Sequence, residues 1–301
     1  MAAKCSYAQN REDILLARAL PSNSGFYVDV GAADPTEDSV TRYFYDLGWR
    51  GLNVEPQQAF FDKLVGERPR DINIQAVISD TPGPMVLHAA ESHPGWATTI
   101  PVVAEGMNAK GLAVGSKEIE AFTLSQVLET HGVTEIDFLK IDVEGAERNV
   151  LLSLDFARWR PRIVLLEATE QGTSIPNHQA WEDVILGTGY LFATFDGLNR
   201  YYVRPEDEAL IPILNVPVNV FDDWYSYHYE VVLRDHTQRM QQLIEATLGL
   251  RAAADELKRE ADRIQRESAS HLYDMAVKHR KVESIRTRLA TLGRAMQMVG
   301  A

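Results

Sequence analysis

Residues 25–32 read Gly-Phe-Tyr-Val-Asp-Val-Gly-Ala, and a second apolar run ends at Glu55, 24 residues after Gly31. An apolar strand that stops at an acid and a small-residue turn opens a crevice at the carboxyl end of a parallel sheet. A carboxylate at the tip of the following strand is placed to accept hydrogen bonds from two ribose hydroxyls. Asp29 and Gly31 together with Glu55 therefore point to an adenosine cofactor.

Around this pair, apolar runs alternate with amphipathic stretches, the signature of βα units in a mainly parallel, doubly wound α/β sheet. The pattern predicts strands near 26–30, 51–55, 72–78, 136–141 and 163–167. It predicts helices near 12–19, 39–47, 58–65, 124–130, 146–152 and 178–186. Residues 189–194 and 200–203, joined around Asp196-Gly197, read as a closing antiparallel hairpin. Residues 88–115 lack periodicity and are expected to form a loop that acts as a substrate lid.

All 13 prolines lie at or before Pro217, so a domain over 1–229 and a helical segment over 230–301 are expected. In that segment Met240, Thr247, Ala254, Ala261, Ser268, Met275, Val282, Leu289 and Met296 recur every seven residues. Leu243, Leu250, Leu257, Ile264, His271, Lys278, Ile285 and Leu292 follow at an offset of three. This a/d seam predicts a long helix or coiled coil, with a homo-oligomer formed through residues 240–296 or a seam offered to a partner. The segment carries 13 basic against 10 acidic residues, or +3, so the net charge of −13 leaves −16 on the domain. An acidic body excludes sequence-independent nucleic-acid binding and leaves a neutral carbohydrate open. No run approaches the ~20 apolar residues of a membrane span, and no signal peptide is visible. The expected location is the cytoplasm, or peripheral to the inner face of the membrane.

The turn Asp29-Val30-Gly31-Ala32-Ala33-Asp34 lacks the G-x-G-x-x-G spacing that packs a pyrophosphate on a helix N-terminus. An NAD-dependent oxidoreductase is therefore disfavoured, and a cofactor without phosphates, S-adenosylmethionine (SAM), fits better. Asp142 follows the strand near 136–141, and Glu167 ends the next one. Two carboxylates on adjacent strand tips can hold a divalent cation such as Mg2+, bind the methionine ammonium of SAM, or act as a general base on a hydroxyl. His93 and His178 are candidate bases because imidazole titrates near neutrality, although such histidines more often sit on a surface. Trp96 could stack on a sugar face or pack internally.

Six stretches share one further property. SYAQNREDILL at 6–16, YVDVGAADPTEDSVT at 27–41, GWRGLNVEP at 48–56, NIQAVISD at 73–80, KIDVEGAE at 140–147 and FDGLNRYYV at 195–203 resemble, in order, the motifs of the FkbM-type SAM-dependent methyltransferases. The resemblance covers about residues 5–205 and leaves the tail outside. It implies a Rossmann-like enzyme that methylates a hydroxyl oxygen, often of a sugar, in polysaccharide biosynthesis. It also implies that Asp29, Gly31, Ala32 and Glu55 bind the adenosine side of SAM, with Ser79 and Asp80 near the adenine. Gln9 and Asp13 would cover the methionine part, and Asp142 and Glu167 match the metal-holding acids of related sugar O-methyltransferases. The alternative is a degenerate, non-catalytic scaffold presenting its coiled coil to a glycan-assembly partner. The intact Asp29, Gly31, Glu55 and Asp142 set speaks against it.

Overall fold

A computed structural model of the chain describes residues 3–93, 95–268 and 275–299. Strands run β1 Lys4–Ser6, β2 Phe26–Val30, β3 Arg50–Val54, β4 Ile72–Ile74, β5 Val77–Ile78, β6 Gly83–Ala90 and β7 Ala97–Thr98. They continue with β8 Val114–Phe122, β9 Phe138–Ile141, β10 Ile163–Glu167, β11 Leu191–Phe195, β12 Asn199–Val203 and β13 Trp224–Ser226. Helices are α1 Glu12–Ala19, α2 Arg42–Leu47, α3 Gln58–Glu67, α4 Pro101–Ala109 and α5 Leu124–Thr130. They continue with α6 Glu147–Leu152, α7 Glu182–Gly187, α8 Ile211–Leu214, α9 Tyr227–Ser268 and α10 Met275–Val299. Two compact units divide the chain, Met1–Tyr227 and His228–Ala301.

The first unit is built on a seven-stranded sheet of order β11-β12-β10-β9-β2-β3-β4. The five strands β4, β3, β2, β9 and β10 are parallel, and β12 and β11 close one edge antiparallel. Their apolar runs are nearly continuous because both faces are covered. Alternation sends Val28, Val30, Leu139, Ile141, Val164 and Leu166 to one core, where they meet Leu124, Val150 and Trp181. It sends Tyr27, Phe138, Ile163 and Leu165 to the other, against Leu15, Leu16, Phe44 and Trp49. The same alternation drops Asp29 and Lys140 onto the second face. They are directly opposite in the β2–β9 register.

After β2 the chain moves outward to β3 and β4, and it later returns to place β9 on the other side of β2. Loops leaving β2 and β9 therefore diverge, and a crevice opens at their carboxyl ends.

Three expectations change. The strand foreseen over 72–78 is two strands, β4 and β5, that belong to different sheets. Residues 88–115 are not a loop: they hold the end of β6, β7, α4 and the start of β8. With β5 these strands form a second sheet of order β5-β8-β6-β7, built on a β6/β8 ladder from Gly83↔Ala121 to Ala90↔Val114. Most of β8 is exposed, so charges stand on both of its faces and the alternation that marks a half-buried strand is lost. The helix foreseen over 178–186 is a 3-10 turn, His178–Ala180, followed by α7, with the buried Trp181 between them. The sequence pattern also missed β1, which pairs in parallel with β13.

In the second unit the seam is divided between α9 and α10, and His271 lies outside the described residues. Leu250, Ala254, Leu257 and Ala261 are partly covered and Ile264 is buried on α9. Val282, Leu289 and Leu292 are partly covered and Ile285 is buried on α10. Among the described residues, no helix is long and apolar enough to cross a membrane.

Leu139 is fully buried at the centre of the large sheet. Leu139→Ala should cost about 2–5 kcal/mol, read as a lower urea midpoint at unchanged slope for the transition of the first unit.

Candidate functional site

The end of β2 and the end of β9 approach so closely that only glycine fits between them. Gly31 has φ +80°, and a Cβ there would lie 1.8 Å from the Asp142 carbonyl oxygen. Its own carbonyl accepts from Lys140 Nζ at 2.9 Å. The Lys140 ammonium also lies 3.3 Å from Asp29 Oδ1 and 3.5 Å from Asp142 Oδ2. One buried cation thus binds both strand ends. Burial alone would favour the neutral amine, yet Asp29 and Asp142 hold Lys140 charged, above the usual lysine range.

Asp29 is completed by Thr41, whose Oγ1 donates at 2.9 Å. Thr41 in turn accepts from Arg68 Nη1 at 2.6 Å. The buried Arg68 guanidinium also donates to Ser39 Oγ at 2.6 Å and to the Pro35 carbonyl. Asp29 is therefore held beneath the turn and is absent from the cavity wall.

Glu55 ends β3 and anchors two turns. Its Oε2 accepts from Ala33 N at 2.8 Å and its Oε1 from Gln57 N at 2.7 Å. Ala33 is itself left-handed, with φ 48°. Burial raises the Glu55 carboxyl to about 7, and these amide bonds oppose the rise.

After β9, Glu144 (φ 53°) and Gly145 (φ 97°) turn the chain sharply. Glu147 folds back to accept from Gly145 N at 3.1 Å and, more weakly, from Val143 N at 3.4 Å. It is also raised to about 7 by burial. The turn brings Glu144 to Asp142 and Glu167, with one oxygen of each within 4.8 Å of the others. Burial first, then the charges of its two neighbours, drives Glu167 well above the carboxylate range; Glu144 rises for the same reasons. Such a cluster holds a proton until a cation or a proton acceptor takes its place. Three carboxylates on rigid turns also suit a hard divalent cation.

These turns line a single cavity of about 960 Å³, at the upper end of small-molecule sites. Gln9, Gly31, Ala32, Glu55, Asp142 and Glu167 all lie on its wall, together with Glu144 and Trp96. Other expected residues lie elsewhere. Asp13 is fully buried and accepts from Ser6 Oγ at 2.8 Å, Tyr7 N at 2.7 Å and Ala8 N at 3.3 Å, which shapes the segment leading into the turn that carries Gln9. Ser79 Oγ contacts Asp80 at 3.3 Å, and Asp80 accepts from Asn149 Nδ2 at 2.8 Å. Neither lines the cavity, whereas Ala76, Val77 and Ile78 do. The two histidines are also off the wall: His93 Nδ1 sits 3.0 Å from Ser92 Oγ, and His178 Nε2 lies 3.8 Å from Glu182 Oε2. Trp96 has His93 against its ring at 4.9 Å and Lys110 Nζ at 5.5 Å from its centroid. Gly172 leaves space only for its indole edge.

Thr41 and Arg68 were missed by sequence reasoning, which placed Lys140 and Glu144 in the stretch at 140–147 but gave neither a role in the site. Lys140 offered a faint signal: a charge inside the otherwise apolar run Phe138–Ile141 needs a buried partner.

Two outcomes follow. Lys140→Met leaves Asp29 buried and unpaired, and should destabilise the first unit by about 3–5 kcal/mol, measured by urea denaturation. Stability should also fall as pH rises. Glu12, Glu55 and Glu147 are raised by burial to about 7. Between the ordinary carboxylate range and those values the folded state binds more protons, so unfolding becomes easier with each added pH unit. Asp34 and Asp207 are lowered and titrate below this window. The urea midpoint of the ligand-free chain should therefore drop from pH 5 to pH 8.

A search of the curated proteins gives no match. The Methyltransferase FkbM domain model matches residues 29–192, from the strand that carries Asp29 through the acid cluster to β11. That span exceeds half of the chain, and the protein belongs to the FkbM methyltransferase family.

Proposed function

We propose that the protein is a SAM-dependent O-methyltransferase that methylates a hydroxyl of a carbohydrate, with the large sheet serving as a Rossmann-like, doubly wound cofactor platform. The observation that carries this reading is the single cavity in which the Gly31 turn and Glu55 face the Asp142, Glu144 and Glu167 carboxylates. Glu55 uses one lone pair of each oxygen on backbone amides, and the others remain for two vicinal ribose hydroxyls. The Gly31–Ala32 backbone leaves room for the adenosine to lie close. When bound, SAM supplies the methyl group on a sulfonium.

The wall carries Asp34, Glu37, Asp38, Glu55, Asp142, Glu144 and Glu167, while its two lysines, Lys63 and Lys140, are paired with Asp34 and Asp29. This field favours a cationic cofactor and an uncharged acceptor, and it repels phosphorylated or carboxylated sugars. In transfer, the acceptor oxygen forms a bond to the methyl carbon, the carbon–sulfur bond breaks with its electron pair left on sulfur, and the hydroxyl proton passes to the cluster. Asp142 is the half-exposed member that reaches the acceptor. Asp142, Glu144 and Glu167 would hold a divalent metal, which would make the hydroxyl more acidic. On this reading the enzyme works in the cytoplasm or at the inner face of the membrane, with residues 230–301 as its assembly segment.

The deciding experiment incubates the full chain with methyl-labelled SAM and neutral glycans, with and without chelator, alongside calorimetry with SAM. Label on a sugar oxygen is expected, and an absence of SAM binding would overturn the reading. Asp142→Asn should lower kcat by about 10²–10⁴-fold in the same assay.

A further inference from the structure

Resting on the methyltransferase reading, we propose that the corner between β6 and α4, residues 95–99 with Trp96 at its centre, is the subsite that holds the acceptor as an uncharged sugar ring. The cavity wall is chemically divided. Every charged residue on it belongs to the segments 34–63 and 140–167. The stretches 95–99 and 172–174 bring only an indole, hydroxyls and small residues.

These two stretches meet at the indole. A Cβ on Gly172 would lie 2.9 Å from Trp96 Cζ2 and Cη2, so the chain passes the ring edge only because that residue is glycine. The His93 ring lies 4.9 Å away and 30° from parallel, and Lys110 Nζ stands 5.5 Å from the indole centroid. Lys110 is itself held by the Gln171 carbonyl at 3.3 Å. These contacts fix the plane of the ring, yet Trp96 stays partly exposed and lines the cavity. Apolar surface left in water inside a cavity is stabilisation that a ligand recovers.

The corner is also tied to the acid cluster. Thr98 is 1 % exposed; its Oγ1 donates to the Glu144 carbonyl at 2.8 Å and accepts from Ile100 N at 3.0 Å. Val103 closes over Gly145, where a Cβ would come within 3.2 Å of it. A ring resting on Trp96 therefore has the Asp142–Glu144 turn as its neighbour. A pyranose carries C–H groups on its faces and hydroxyls around its rim. The C–H groups, slightly positive, suit the negative face of an indole, and the hydroxyls suit Thr99 and Ser174.

Tryptophan fluorescence tests the subsite without turnover. Trp49, Trp159 and Trp181 are at most 3 % exposed, and Trp224 is off the cavity wall. Methyl glycosides of neutral hexoses and 6-deoxyhexoses, titrated into the full chain, should change the emission, and glucuronic acid should not. The response should persist in Trp224→Phe and vanish in Trp96→Phe. In the methylation assay Trp96→Ala should raise the acceptor KM by about tenfold or more at nearly unchanged kcat. Trp96→Phe should recover part of that loss, and SAM affinity by calorimetry should be unchanged in both. No response in the wild-type chain overturns the proposal, as does an equal response to glucuronic acid. A chain that binds SAM and methylates glycans with a KM indifferent to Trp96→Ala overturns the subsite alone. A chain that binds neutral glycosides through Trp96 but does not bind SAM supports the subsite and overturns the methyltransferase reading.

Discussion

The site depends on one buried ammonium. Lys140 joins the Gly31 carbonyl, Asp29 and Asp142, which belong to turns that leave the sheet in opposite directions. Remove that charge and the two turns lose their common point, since two carboxylates and a carbonyl would then face one another with no cation between them. Behind it, the Asp29–Thr41–Arg68 chain ties the same point to the loop before α2. The Gly31 turn is therefore held from beneath by charge, while its upper surface lines the cavity.

A second regularity runs through the acids. Asp13, Glu55 and Glu147 each spend their oxygens on backbone N–H groups of a turn at the cavity wall. Asp196 does the same for Leu198 and Asn199 in the β11–β12 turn. A carboxylate that accepts two amides fixes a turn more firmly than water could, because leaving those amides unpaired carries a penalty. Many of the motif acids are thus builders of loop shape, whereas Asp142, Glu144 and Glu167 gather at one point.

The parallel strands were legible because burial on both faces writes them as apolar runs, as in Val164–Leu166. The placing of Gly31 and Glu55 at strand ends was legible for the same reason. The second sheet was not, since the strand Val114–Phe122 is mostly exposed and alternates only over its last residues. Lys140 and Asp29 are 111 residues apart, and only the β2–β9 register makes them neighbours. Glu144 reaches the cluster through a left-handed residue that no sequence pattern announces. Ser79 and Asp80 miss the cavity because the chain breaks between β4 and β5 and changes sheet. The heptad pattern showed that a helix face is covered; it is silent on which helix covers it.

The short pairing of β1 with β13 ties down one rim of the cavity. Residues 7–11 span the gap between that ladder and the Asp13 clamp, and Asn10 is further moored to the Asp196 carbonyl. Gln9 therefore sits on a taut bridge with little slack. Across the cavity, Gly172–Ser174 is braced mainly by its own local bonds and by Lys110 on the Gln171 carbonyl. The two rims of the cavity are thus tied down unequally: the Gln9 side by a strand ladder and a buried carboxylate, the Gly172–Ser174 side by short-range bonds.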